Sequence, residues 1–195
     1  LDECYVYLTF QGEPFSAGAL RDCKEHMIIL GSLSKTYAMT GWRAGFALGP
    51  KTIIAAMSKL QSQSTSNTAS MVQQASIAAV TGSQECVREM RADYIKLRDR
   101  VLEGFKTIPG LTCTVPRGAF YVYPNVKAFL DPSGGKGGVK TASELAGKLL
   151  TEAHVVTVPG EAFGTQEHIR LSYAVSADVI DKGVERLRAY LAGLR

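Results

Sequence analysis

A lysine that lies between hydroxyl side chains, shortly after an apolar run, constrains this chain more than any other feature. The apolar run is Met27-Ile28-Ile29-Leu30, and the lysine is Lys35, within the segment SLSKTYAMTGWRAG at residues 32–45. The apolar run predicts a buried strand, which puts Lys35 close to the end of that strand. A solvated charge is unusual in such a place, whereas an amine that must form a Schiff base suits it well.

The segment at residues 32–45 resembles the cofactor-lysine motif of the class I and II aminotransferases, which have the aspartate aminotransferase fold and use pyridoxal 5'-phosphate (PLP). The resemblance implies that Lys35 holds the aldehyde of PLP and that Arg43 binds its phosphate. A guanidinium suits a phosphate better than an ammonium does, because it can donate two parallel hydrogen bonds. By the same resemblance, Ser32 and Ser34 add hydroxyl groups to the cofactor site.

The alternative is that Lys35 and Arg43 are ordinary surface charges on a loop, as most Lys/Arg pairs are. The Gly-Trp-Arg sequence at this spacing favours the cofactor site over that alternative. The resemblance also gives Gly41 and Gly45 a role, which is to relax the backbone where it turns around the phosphate.

The first residues of the chain, LDECYVYL, resemble a second part of the same site. In the family, a strand ends in an aspartate that pairs with the pyridine nitrogen, and a tyrosine follows three residues later. Asp2 and Tyr5 match these two residues, and Glu3 is the rival carboxylate. A carboxylate close to the ring nitrogen favours its protonated form, as an opposite charge does generally. Without Lys35, an aspartate at a strand end and a core tyrosine would be the better interpretation.

The third part of the resemblance lies near the end of the chain, in the sequence EHIRLSYA at residues 167–174. Its alternation predicts a strand that has Ile169, Leu171 and Tyr173 on one face and Arg170 on the other. In the family, an arginine in this position binds the α-carboxylate of the substrate, and Arg170 matches it. The segments VPGEAFG at residues 158–164 and RGAFYVYP at residues 117–124 resemble the family's flanking motifs.

Composition bounds the classes of protein that remain. The 195 residues are 46% hydrophobic and 21% charged with a net charge of +4, which is ordinary for a globular protein with a real core. The basic residues form no block, so we expect neither a nucleic-acid partner nor a membrane segment. The four cysteines are widely spaced and predict free thiols in a reducing compartment, the cytoplasm, rather than a metal site or disulfides. The histidines show no ligand spacing, and no metal is expected.

The predicted fold class is α/β: part of a PLP-binding large domain, with a mixed and mostly parallel sheet, followed by a small α+β C-terminal domain. Strands are predicted at residues 2–8, 27–30 and 42–48. Helices are predicted after Pro50, at about residues 67–80, over most of residues 83–108, after Thr141 and after Ser176. The domain prediction is therefore residues 1–82 for the large domain, 83–108 for a long interdomain helix and 109–195 for the small domain.

The polar stretch at residues 61–67 is interpreted equally as a linker or as a loop near the active site and the partner subunit. The glycine-rich stretch at residues 133–141 fails the phosphate-loop pattern, because Val139 precedes Lys140-Thr141. It predicts a flexible surface loop.

Family members are roughly twice as long as this chain, which begins at Leu1 close to an expected active-site residue. The sequence therefore resembles the C-terminal half of such an aminotransferase. We expect the 195-residue chain alone to be inactive, and the full-length protein to be a homodimer.

The implied reaction is transamination, with aspartate and 2-oxoglutarate as the expected substrates and broader alanine or aromatic specificity as the next choice. Lys35 would act as the general base at the Cα–H group of the substrate. Two rivals are a PLP-dependent lyase that cleaves a C–S or other bond at Cβ, and a PLP-sensing regulatory domain. Formation of a 2-oxo acid without release of ammonia would separate transamination from the lyase reaction.

Overall fold

The computed structural model of the protein describes residues 1–131, 133 and 138–194. The chain divides into two compact units, Leu1–Arg91 and Ala92–Arg195, and the boundary falls inside a long helix. Each unit contains strands and helices, so the predicted α/β class is confirmed. The predicted glycine-rich loop at residues 133–141 lies partly outside the described residues.

The first unit consists of a small sheet, three helices and the beginning of a fourth. These elements are β1 (Ile29–Ser32), α1 (Leu33–Thr36), β2 (Gly45–Leu48), α2 (Lys51–Ser64), α3 (Ser70–Thr81) and the start of α4 (Glu85–Lys106). Short 3-10 helices lie at Val6–Leu8, Ala17–Ala19, Arg21–His26 and Thr40–Trp42.

The predicted strand at residues 2–8 is wrong. Only Asp2 pairs with the sheet, through one parallel bridge to Leu30. The carboxylate of Asp2 then accepts the backbone N–H of Cys4 at 2.9 Å, and the N–H of Val6 donates to the Glu3 carbonyl at 3.1 Å. These local hydrogen bonds compete with the ladder of a strand and turn the chain into a 3-10 helix.

The two later strands of the first unit are antiparallel: β1 lies two residues later than predicted, and β2 is shorter than predicted. Ser32 lies opposite Gly45, and Ile29 lies opposite Leu48. The second strand starts at Gly45 rather than at residue 42 because Arg43 adopts a left-handed backbone, with φ 56°. Together with the parallel bridge at Asp2, this pair makes the sheet of the first unit mixed.

The helices of the first unit follow the predicted pattern. Pro50 immediately precedes α2, and Gly82 ends α3. The first part of the polar stretch at residues 61–67 belongs to the last turn of α2 rather than to a linker. A small apolar cluster of Leu33, Met39 and Ala44 packs against partly buried side chains of α3, among them Val72. This cluster fixes the segment that follows β1 on top of α3.

The second unit is a three-stranded antiparallel sheet with three helices. The strands β3 (Tyr121–Val122), β4 (Val158–Pro159) and β5 (Ile169–Ser172) occur in the order β3-β5-β4. The helices are the remainder of α4, α5 (Ala142–Thr151) and α6 (Ala177–Ala192), and 3-10 helices lie at Lys127–Phe129 and Gly160–Phe163. Gly104 of α4 allows close helix packing, because a Cβ there would lie 2.6 Å from a methyl group of Val184.

The helix caps of the second unit are partly as predicted. Thr141 caps α5, since its hydroxyl accepts the N–H of Glu144 at 3.1 Å, and the Glu144 carboxylate accepts the N–H of Lys140 at 2.7 Å. Ser176 occupies the N-cap position of α6, but its side chain makes no capping hydrogen bond. Ser176 therefore lies at the predicted N-cap position, but it does not cap the helix with a hydrogen bond.

None of the helices among the described residues is both long enough and apolar enough to cross a membrane.

Candidate active site

The predicted site residues of the first unit gather around the end of β1. Asp2 pairs with Leu30, two residues before the strand ends at Ser32. On the other side, Ser32 lies opposite Gly45, two residues after Arg43. Because Asp2 and β1 run parallel, the residues that follow each of them emerge at the same edge of the sheet.

Lys35 lies on the short helix α1, which begins directly after β1. Ser32 is the N-cap of α1, and its hydroxyl accepts the N–H of Ser34 at 3.1 Å. Lys35 is half-buried, while Ser34 and Thr36 on either side of it are buried. The hydrogen bonds of this turn therefore place Lys35 in a partly buried position.

Tyr37 anchors the end of this turn on the body of the unit. Its hydroxyl donates to the side-chain oxygen of Gln84 at 2.9 Å. Burial raises the pKa of the Tyr37 phenol above its ordinary value, and the neighbouring Tyr7 and Cys86 raise it further. Tyr37 therefore remains a neutral hydrogen-bond donor at physiological pH.

Arg43 is exposed, and a chain of hydrogen bonds connects it to the lysine turn. Its guanidinium Nη1 donates to the carbonyl of Thr40 at 3.0 Å, and the hydroxyl of Thr40 donates to the carbonyl of Ser34 at 3.2 Å. The sequence analysis missed Thr40, because nothing in the sequence shows which carbonyl a threonine hydroxyl will reach. Thr40 thus couples the segment that carries Lys35 to the one that carries Arg43.

Asp2 and Tyr5 lie at the same edge of the sheet as the lysine turn. The Asp2 side chain is exposed, while that of Tyr5 is half-buried just before the 3-10 helix Val6–Leu8. The rival carboxylate, Glu3, is engaged elsewhere, since its Oε1 accepts the backbone N–H of Ala17 at 2.8 Å. The Asp2 carboxylate also accepts one backbone N–H, that of Cys4, but Asp2 is exposed whereas Glu3 is half-buried, so the carboxylate of Asp2 is the more accessible of the two.

The two glycines of the lysine segment differ in what the fold requires of them. A Cβ on Gly45 would lie 2.8 Å from the carbonyl oxygen of Gly31, so the close approach of β1 and β2 needs a glycine. A Cβ on Gly41 would meet nothing within 4 Å, and its φ is not in the left-handed range. The predicted backbone role of Gly41 is wrong, because the left-handed residues of this segment are Ala38 and Arg43.

Arg170 belongs to the second unit and lies on β5, as predicted. Ile169 and Tyr173 are buried, as predicted for one face of the strand, whereas Leu171 of that face is half-buried like Arg170. The guanidinium of Arg170 lies over two aromatic rings, 4.3 Å from the centroid of Tyr121 and 4.4 Å from that of Phe163. Tyr121 and Phe163 lie in the two segments that resemble the family's flanking motifs, but the sequence alone predicts no role for either ring.

The donor set at the end of β1 defines what the first unit can hold. It combines an amine, a guanidinium, serine hydroxyls, a phenol and a carboxylate. An amine can bond covalently to a carbonyl compound, while a guanidinium and hydroxyls can hold a phosphate. A metal site is a poor match, since no cluster of three or more His, Cys, Asp and Glu residues occurs in the part of the chain that the structure describes.

The sequence matches the family described as aminotransferase class I and II over residues 1–187. The aspartate aminotransferase of Geobacillus stearothermophilus is 41% identical over 192 residues, which cover 97% of this chain and 48% of that protein. The crystal structure of the aspartate aminotransferase from Rhizobium meliloti has a TM-score of 0.90 at 37% identity, covering 99% of this chain and 49% of that chain. An aromatic aminotransferase from Pyrococcus horikoshii has a TM-score of 0.87 at 31% identity, covering 98% and 50%. The chain spans about half the length of the curated relatives it matches.

Proposed function

The chain belongs to the class I and II aminotransferases, as its motifs predicted, and from that membership we propose that the protein is a PLP-dependent aminotransferase. It transfers an amino group from an amino acid to a 2-oxo acid. Aspartate and 2-oxoglutarate are the proposed substrates, which the names of several relatives at about 40% identity support.

The single observation that carries the proposal is the gathering of Asp2, Ser32, Lys35 and Arg43 around the end of β1. These residues fit PLP by chemistry. Lys35 would bind its aldehyde, and Arg43 with the serine hydroxyls would bind its phosphate. Asp2 would face its ring nitrogen, and the phenol of Tyr5 would donate to its O3' oxygen.

When bound, PLP supplies a ring that absorbs the negative charge developing at the Cα of the substrate. The side chains of this chain do the rest. The amine of Lys35 would act as the general acid–base that moves the proton at Cα. Asp2 would favour the protonated ring nitrogen, because an opposite charge at close range favours the charged form. Arg170 holds the substrate carboxylate and so orients the Cα–H bond.

The proposal extends to the organisation of the protein. We propose that residues 1–82 belong to the cofactor-binding domain, that residues 83–108 form the interdomain helix and that residues 109–195 form the small domain. The boundary between the two compact units, which falls inside α4, supports this division. We further propose a homodimer located in the cytoplasm, and the four free cysteines are consistent with a reducing compartment.

The cofactor lysine can be tested directly in the full-length protein. Borohydride reduction in the presence of PLP, followed by proteolysis and mass spectrometry, should place the pyridoxyl label on Lys35. Lys51→Ala serves as the control, since Lys51 is exposed at the start of α2. A label on Lys24 or Lys51 would overturn the site.

The reaction class and the substrate need a second measurement. We expect a 2-oxo acid to form from aspartate only when 2-oxoglutarate is present, and without ammonia. Comparison of kcat/KM for aspartate, alanine and an aromatic amino acid then tests the substrate. Release of ammonia without an acceptor would favour the lyase reaction instead.

A further inference from the structure

The guanidinium of Arg170 contacts two aromatic rings that come from distant parts of the second unit. Tyr121 lies on β3, which pairs with β5, and Phe163 ends the 3-10 helix Gly160–Phe163. Both ring centroids lie within 4.4 Å of the guanidinium carbon, well inside the ~6 Å range of cation–π attraction. Two rings at this distance from one guanidinium carbon restrict the rotation of the Arg170 side chain.

The ring of Phe163 also packs against a second aromatic side chain. Tyr123 packs edge-to-face against it, with centroids 6.0 Å apart and an interplanar angle of 84°. Tyr123 in turn stacks on His168, with centroids 4.8 Å apart and an angle of 9°. Its hydroxyl hydrogen-bonds the side chain of Thr165 and donates to the carbonyl of Gly160 at 3.4 Å.

The turn that carries Phe163 is also fixed against β5 by its backbone. The N–H of Gly160 donates to the carbonyl of His168 at 2.7 Å. A Cβ on Gly160 would lie 2.6 Å from that carbonyl oxygen and 2.6 Å from the Thr165 hydroxyl, so only a glycine fits. Phe163 therefore has little freedom to move away from Arg170.

We propose that Tyr121 and Phe163 form an aromatic clamp that positions Arg170 for a carboxylate ligand. The inference rests on the proposed function, in which Arg170 binds the substrate carboxylate. No carboxylate among the described residues forms an ion pair with Arg170, so its charge is compensated by the ring faces alone. The N–H donors lie in the plane of the guanidinium, and a carboxylate can meet two of them at its edge.

The clamp contributes by ordering Arg170 before the ligand arrives. Without one ring, the guanidinium would sample more rotamers, and binding would have to immobilise them at a cost of ~0.5–1.5 kcal/mol. That cost corresponds to a roughly 2- to 12-fold weaker affinity for a carboxylate ligand. Tyr121 and Phe163 are therefore positioning residues, and the chemical step itself should be affected much less than binding.

The test uses the full-length protein with PLP bound, and maleate as an unreactive dicarboxylate probe. Isothermal titration calorimetry measures the Kd of maleate for the wild type, Phe163→Leu, Phe163→Tyr and Arg170→Ala. We expect Phe163→Leu to raise this Kd roughly 2- to 12-fold and Phe163→Tyr, which keeps the ring face, to restore most of the affinity. The KM for aspartate should rise with the Kd, while kcat falls far less. Tyr121→Leu removes the other ring, so it tests the same point if Phe163→Leu unfolds.

The control is Tyr190→Leu, which removes an aromatic ring of the same unit whose hydroxyl bonds Glu152 rather than Arg170. It should leave the Kd of maleate unchanged. Wild-type affinity in folded Phe163→Leu and Tyr121→Leu, together with weak binding in Arg170→Ala, would overturn the clamp alone. Unchanged affinity in Arg170→Ala would overturn the proposed role of Arg170 and the clamp with it.

Discussion

The two compact units of the chain differ in where their apolar side chains lie. In the first unit, α2 and α3 bury no residue completely, and Leu60 and Met71 are 74% and 75% exposed. In the second unit, α5 and α6 direct a full apolar face inward, and Leu145, Leu149, Leu187 and Leu191 are completely buried. The second unit thus closes a core of its own, whereas the cluster around Leu33 in the first unit contains three buried residues.

The two parts of the proposed site are therefore held in place by different kinds of interaction. The lysine turn depends on local hydrogen bonds, such as those of Ser32 and Thr40, and on a few apolar contacts. Arg170 lies on a sheet that packs on a closed core. A large exposed apolar surface typically marks a contact with other protein surface. We expect the lysine turn of the first unit to supply the reacting groups, and the closed core of the second unit to hold Arg170 in a rigid position.

The largest expected effect lies in the first unit. Lys35→Ala in the full-length protein removes both the proposed covalent link to PLP and the proposed base. Loss of a general base alone costs about 10²- to 10⁴-fold in rate, and loss of the link adds to it. Steady-state turnover of aspartate measures the effect.

For Lys35→Ala, PLP should still bind weakly through Arg43 and Ser32. Lys51→Ala is the matched control and should keep normal turnover. Substantial activity in Lys35→Ala would show that the chemistry does not depend on this turn and would break the comparison.

The next effect concerns stability and separates the two cores. Leu149→Ala removes a completely buried side chain of the second unit and should lower the free energy of unfolding by about 2–5 kcal/mol. Leu60→Ala, at an exposed position of α2, should change it by no more than about 0.5 kcal/mol. Urea unfolding of the 195-residue chain measures both. Equal losses would mean that the first unit has a core of the same quality.

A smaller effect on catalysis is expected from the second unit. Arg170→Ala removes a charged hydrogen bond worth ~1.5–3 kcal/mol, so kcat/KM should fall roughly 10- to 150-fold for every α-amino acid. The absorption spectrum of the resting enzyme should not change. Arg188→Ala, an exposed arginine on α6, is the control. A changed resting spectrum in Arg170→Ala would contradict the division of tasks.

Asp2→Ala should slow the chemical step rather than weaken substrate binding. Substrate Kd should stay close to normal, because the proposed role of Asp2 is toward the cofactor and not the substrate. Exchange of the Cα–H proton with solvent should slow, since an unprotonated ring nitrogen makes a poorer electron sink. An effect on Kd alone would assign Asp2 to the substrate instead.

The sequence predicted the helices better than the strands. Hydrophobic periodicity predicted α4, Pro50 marked the start of α2, and Gly82 marked the end of α3. These signals act between residues that are close together in the sequence. The predicted strand at residues 2–8 does not form, because the Asp2 carboxylate accepts a nearby backbone N–H. Hydrophobic periodicity contains no information about such a hydrogen bond.

Contacts within the proposed site were the least predictable part. Lys35, Arg43 and Arg170 were recognised through motifs, which carry residue types and spacing. Thr40 and the clamp were not, because a hydrogen bond or ring contact between segments depends on tertiary packing. For Gly41, the prediction assigned a backbone role that the structure does not require, since a glycine in a motif need not adopt a conformation that only glycine favours.

The smallest expected effect compares the N-caps of the two units. Thr141 caps α5 and Ser32 caps α1, each through one hydrogen bond of 3.1 Å to a backbone N–H. Thr141→Ala should lower the free energy of unfolding by ~1 kcal/mol, the usual worth of such a cap. It should leave PLP affinity unchanged, because α5 lies in the unit that provides rigidity. Ser32→Ala should instead weaken PLP binding, since its hydroxyl belongs to the proposed phosphate site.

Ser176→Ala supplies the matched control for Thr141→Ala, because Ser176 occupies an N-cap position without a capping hydrogen bond. A hydrogen bond from Ser176 lowers the pKa of Asp178 in the folded state, so its stabilising effect is present at neutral pH and disappears as acid protonates Asp178. Ser176→Ala should therefore cost less than Thr141→Ala at pH 7 and nothing below the folded pKa of Asp178. Urea midpoints at neutral and acidic pH measure both variants. If Ser176→Ala cost as much as Thr141→Ala at every pH, position at the helix terminus would matter more than the hydrogen bond.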